Sequence, residues 1–117
     1  MTGFIFVGLG GALGAMLRYA IGLVPYKGTF PLLTLLINIA GAVLIGYITG
    51  IAVKKNLSPN VILLLKTGVC GGFTTFSTFS LEAYNLFQNG NYALMGLYIL
   101  LSLAGSFIGV WFGTIIA

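Results

Sequence analysis

The sequence predicts an all-α membrane protein of four transmembrane helices, the third broken near its middle. Three observations carry this. Of 117 residues, 59% are hydrophobic and 5% charged, where a soluble domain carries roughly 25% charged residues. The apolar residues gather into four stretches, each close to the about 20 residues a helix needs to cross a bilayer. A Gly-Gly-Phe-Thr-Thr run interrupts the third of them. So few charges cannot clothe a water-facing surface, and a chain this apolar is not a disordered one. The formal +4 charge is scattered, without the basic stripe that follows a phosphate backbone, so nucleic acid is not an expected partner. There is no His, a single acid (Glu82) and a single Cys. That leaves no metal-ligand spacing and no intrachain disulfide, and no enzyme is expected.

The first helix runs from about Phe4 to Val24 and stops at Pro25-Tyr26-Lys27-Gly28. It lacks a basic leading segment and a small-residue cleavage site, so it reads as a retained span rather than a signal peptide. The second, from about Leu32 to Val53, ends at the polar segment Lys54 to Asn60. Within that segment Ser58-Pro59 suits a helix start, with Ser as N-cap and Pro in the first turn. The third runs from about Val61 to Phe87, and Asn89-Gly90 marks the turn after it. The fourth spans about Tyr92 to residue 116. All four belong to one domain, residues 1–117, with both termini on the same side.

Orientation in a membrane follows Lys and Arg near the loops. Lys54, Lys55 and Lys66 stand on one side, Lys27 and Arg18 on the other. Three against two is compatible with insertion both ways round or with a modest preference for N-in. Glycines at four-residue spacing (Gly10 and Gly14; Gly46 and Gly50; Gly105, Gly109 and Gly113) let helices approach closely in lipid. They predict extensive helix contact, within the chain or between copies in at least a homodimer.

Polar side chains inside a membrane usually face protein or a water-filled path. Thr34, Asn38 and Gly41 share one face of helix two, and Tyr98, Ser102 and Ser106 one face of helix four. A lone Ser or Thr commonly bonds its own backbone; an Asn amide is harder to satisfy. In the third helix, Gly71-Gly72-Phe73-Thr74-Thr75 is a poor helix interior, since Gly costs up to ~1 kcal/mol relative to Ala. A break is predicted near Gly71–Thr75. Backbone groups freed there must face protein or an ion, as broken helices do at midplane ion sites. Beyond it Phe76 and Phe79 share a face, Ser77 and Ser80 form the next stripe, and Glu82 follows. Phenylalanine is ordinarily lipid-facing bulk; interleaved with hydroxyls beside a break, these rings suit a lining. Amide and hydroxyl donors with electropositive ring edges favour a small anion, without a fixed cation that would trap it.

These residues resemble the Fluc (CrcB) family of fluoride channels over essentially the whole chain. The match rests on Gly10-Gly11-Ala12-Leu13-Gly14-Ala15-Met16-Leu17-Arg18-Tyr19, on Thr34-Leu35-Leu36-Ile37-Asn38-Ile39-Ala40-Gly41, on Ser102 and Ser106, and above all on Gly71-Gly72-Phe73-Thr74-Thr75-Phe76-Ser77-Thr78-Phe79-Ser80. The resemblance implies a multi-pass protein of the bacterial plasma membrane that passively exports fluoride. It implies an antiparallel, dual-topology homodimer with two pores. Phe76 and Phe79 would contact fluoride by their ring edges, and Asn38 would be the anion-binding amide. Thr34, Ser77, Ser80, Ser102 and Ser106 would form a polar track with Tyr98 beside it, and Arg18 would stand near the pore entrances. A structural sodium ion would sit at the dimer centre on backbone carbonyls of Gly71 and Thr74. Val69 departs from the bulkier residue common at its position. The alternative is a small proton-coupled multidrug or cation exporter, which needs an intramembrane acid; Glu82 is its only candidate. A non-conducting assembly subunit would leave Asn38 and the Thr-Ser-Phe run without a reason.

Overall fold

A computed structural model describes all residues, Met1–Ala117. It is helical throughout, with four spans long and apolar enough to cross a membrane: Thr2–Gly22, Leu32–Lys54, Pro59–Gln88 and Tyr92–Ile116. The molecule measures 48 × 28 × 23 Å. Its long axis matches the roughly 40–45 Å of a bilayer with its headgroups.

Helix α1 covers Thr2–Gly22 and α2 covers Leu32–Lys54. Helix α1 ends two residues before the predicted Val24. Val24 precedes Pro25, whose ring pushes the preceding residue out of the helical region. The third span has five parts. A first turn, α3 (Pro59–Ile62), starts at Ser58, whose side-chain oxygen accepts the Val61 N–H. A π-helix over Leu63–Cys70 follows, then α4 (Gly71–Phe73), an extended pair and α5 (Phe76–Gln88). The pair is Thr74 (ψ 157°) and Thr75 (φ −149°, ψ 117°). The last helix, α6, is Tyr92–Ile116, reached through a turn in which Gly90 takes φ +75°.

The break lies within the predicted window, but the glycines do not make it. Gly71 has φ −64° and ψ −36°, ordinary helical values. The chain opens three residues later, at the threonines. Gly72 is small for another reason: a Cβ there would run into the Gly11 backbone. The π-helix was not foreseen, because no hydrophobic period distinguishes its wider turn in an all-apolar segment.

Close backbone contact pairs the helices in parallel. A Cβ at Gly10 would strike the carbonyl oxygen of Leu64, and one at Gly14 that of Val69, so α1 lies along the first half of the third span. In the same way Gly46 meets the Val110 carbonyl and Gly113 the Val43 carbonyl, joining α2 to α6. Small residues at such spacing are how helices associate in lipid, where no hydrophobic force drives them together. Helix α5 joins the α2–α6 pair through a buried cluster of Leu35, Phe79, Ala83, Leu86 and Tyr98.

Candidate functional site: a polar groove at the helix break

The break falls at the middle of the 30-residue third span, so its backbone groups sit deep in the membrane and must be satisfied by protein. Asn38 on α2 supplies most of the solution. Its Nδ2 donates to the Thr75 carbonyl at 3.1 Å, and its Oδ1 accepts the Thr75 N–H at 2.8 Å. From α1, Arg18 Nε donates to the Gly72 carbonyl at 3.2 Å. Thr75 caps α5: its Oγ1 accepts the Thr78 N–H at 3.1 Å. Thr74 Oγ1 turns back to the Cys70 carbonyl at 2.9 Å.

These bonds redirect donors. In a continuous α-helix the N–H of residue i serves the carbonyl of i−4. The Thr75 N–H, which would serve Gly71, is held by Asn38. The Thr78 N–H, which would serve Thr74, is held by the Thr75 side chain. The carbonyls of Gly71 and Thr74 therefore lose their helical donors, and both residues line the same open groove.

That groove, of about 630 Å³, lies between α2, the third span and α6. Asn38, Thr75, Phe76, Phe79, Ser102 and Ser106 line it, with Gly41 and Lys66. Gly41 lets the methyl of Thr74 press against α2. Ser102 is 7% exposed, and its Oγ has no partner in the chain, so a buried donor remains available at the groove wall. Asn38 likewise has a second amide hydrogen beyond the one given to Thr75. Phe76 and Phe79 rings lie 5.5 Å apart at 41°, and Phe79 lies 5.1 Å from Tyr98. Phe79 is buried; Phe76 is 76% exposed.

A second cavity of about 350 Å³ continues toward the other end, lined by Thr34, Glu82, Asn85 and Asn89 among others. Along α2 the order runs Gly41, Asn38, Thr34; along α5 it runs Phe76, Phe79, Glu82. Both helices thus line first one cavity and then the next. Tyr98, fully buried, stands between them and donates its hydroxyl to Glu82 Oε1 at 2.9 Å.

The expected residues divide accordingly. Asn38, Phe76, Phe79, Ser102 and Ser106 meet in the groove with Gly71 and Thr74. Thr34 opens onto the second cavity. Arg18 supports the break from α1. Ser77 and Ser80 do not line either cavity. Ser80 Oγ donates to the Phe76 carbonyl, and Ser77 lies within 3.4 Å of Thr75 Oγ1. Lys66, Thr67 and Cys70 also line the groove; a face read in steps of 3.6 groups Thr67 and Cys70 with Thr74 and leaves Lys66 at its edge.

Four spans with a groove of neutral hydrogen-bond donors along one side, and one span opened at membrane depth, define a multi-pass membrane protein with a polar groove at its helix break. Residues 5–114 match the family described as CrcB-like protein, Camphor Resistance (CrcB), and the chain belongs to that family. It is 41% identical over 114 residues to a protein of Azobacteroides pseudotrichonymphae genomovar. CFP2, covering 94% of this chain and 91% of that one. Identity is 43% over 120 residues with a protein of Chlorobaculum tepidum, covering 100% and 95%. It is 46% over 109 residues with one of Methylobacterium nodulans, covering 91% and 86%. Each of the three is named fluoride-specific ion channel FluC.

Proposed function

We propose that this protein is a passive, fluoride-selective channel of the plasma membrane, and not an enzyme. The observation that carries the reading is the groove at the broken span. Its donors at the break, Asn38, Thr75, Ser102 and Ser106, are neutral, two phenylalanine rings adjoin them, and no carboxylate lines it. Family membership supports it, since the relatives carry the name of a fluoride channel.

Fluoride is small and strongly hydrated, so a passage must replace its water with donors at each step. The free Asn38 amide hydrogen and the unpartnered Ser102 hydroxyl supply such donors, and Phe76 and Phe79 present electropositive ring edges. None is a fixed cation, so the anion is attracted without being trapped. Beyond Phe79, Thr34 and the amides of Asn85 and Asn89 continue the path. Hydrogen fluoride crosses membranes as a neutral molecule and ionises inside; a passive channel lets the membrane potential drive the anion out.

The working unit is an antiparallel homodimer. A single chain leaves the polar groove uncovered, which lipid does not tolerate. A structural sodium ion suits the carbonyls of Gly71 and Thr74, the two whose helical donors are redirected. Sodium takes such neutral oxygens and needs none of the His, Cys or carboxylate clusters that the chain lacks. The proton-coupled exporter finds no support: Glu82 lies outside the groove and accepts the Tyr98 hydroxyl.

Fluoride efflux from proteoliposomes tests the reading. Purified protein should release fluoride passively under a potassium diffusion potential and chloride far more slowly. No fluoride flux, or chloride flux of comparable size, would overturn it.

A further inference from the structure

Resting on the channel reading above, we propose that Lys66 is the anion-concentrating charge of the groove, drawing fluoride to its mouth without binding it at the break. Lys66 is the only formally charged residue lining the groove. The single acid of the chain, Glu82, lines the other cavity and holds the Tyr98 hydroxyl. No carboxylate of this chain neutralises the Lys66 ammonium, and the residue is exposed.

Its direction comes from the backbone. Up to the break, the groove-lining residues of the third span are Lys66, Thr67, Cys70, Gly71, Thr74 and Thr75, in pairs four apart. In an α-helix each step of four overshoots a full turn by ~40°, enough to carry residue 66 away from residues 74 and 75. The π-helix over Leu63–Cys70 has a wider turn that offsets this drift, so Lys66 faces the groove that Thr74 and Thr75 face.

Eight residues separate Lys66 from Thr74, which places its Cα about 12 Å from the break. At that range it cannot coordinate an anion held between Asn38 and Ser102. It raises the anion concentration in a cleft whose low-dielectric walls focus the field, an effect of roughly tenfold on arrival rate. Such an effect is screened by salt: the Debye length falls from about 30 Å at 0.01 M to about 3 Å at 1 M. A contact donor shows no such dependence.

The test measures initial fluoride efflux from proteoliposomes at fixed fluoride, in low and in about 1 M non-permeant salt. The proteins are wild type, Lys66→Arg, Lys66→Gln and Lys66→Glu. At low salt Lys and Arg should match, Gln should be several-fold slower and Glu slower again; at high salt the four should converge. Wild type alone should slow as salt rises, which needs no variant to fold. Lys66→Gln at wild-type rate in low salt overturns the proposal. So does a deficit of equal size at both salt concentrations, or a salt-indifferent wild type. A wild type that carries no fluoride at all overturns the channel reading as well, which separates the two failures.

Discussion

Asn38 uses both ends of one amide on one residue, accepting the Thr75 N–H and donating to the Thr75 carbonyl. An unpaired buried backbone group costs about 1–3 kcal/mol. Asn38→Ala should therefore lower thermal stability in detergent, by about 2 kcal/mol or more for two such groups, and abolish fluoride flux. Asn38→Asp keeps an acceptor for the N–H but loses the donor and places a negative charge at the groove. It should be the more stable of the two variants and equally inactive. If Asn38→Asp conducts at the wild-type rate, the amide is not a donor to the permeating anion. Asn38 stood out in the sequence because an amide in a membrane needs partners; that one partner would be the backbone of Thr75 could not be read there, since the two are 37 residues apart.

At the scale of helices, glycines that look alike in sequence divide into two kinds. A Cβ at Gly14 would strike the Val69 carbonyl and one at Gly113 the Val43 carbonyl, whereas a Cβ at Gly96 meets nothing within 4 Å. Gly14→Ala and Gly113→Ala should each destabilise the fold by about 1–3 kcal/mol, because backbone must move. Gly96→Ala should be neutral or stabilising by up to about 1 kcal/mol through helix propensity alone. Thermal melts of the three variants in one detergent check the contrast. The four-residue glycine spacing was legible as packing, while the partner helix of each was not. The break shows the same division. Gly71-Gly72-Phe73-Thr74-Thr75 announced a disturbed helix, yet Gly72 serves contact with Gly11, and the chain opens where Asn38, Arg18 and the Thr75 cap absorb the freed groups.

At the scale of the whole molecule, one chain has a polar groove and an exposed Phe76 on the side of the bundle. Light scattering of the purified protein should give twice the mass of one chain. Exchange of sodium for N-methylglucamine should lower its melting temperature if the Gly71 and Thr74 carbonyls hold the ion; an unchanged melt in sodium-free buffer would remove the ion from that place. Composition and spacing alone determined that the chain is a four-span membrane protein with its third span disturbed, because hydrocarbon admits only long apolar helices with their backbone bonds closed. Where the redirected bonds go, which serines face the passage and that Lys66 shares the groove were decided by tertiary structure. They depend on the π turn and on donors brought together from α1 and α2, and a helical period counted along one segment holds neither.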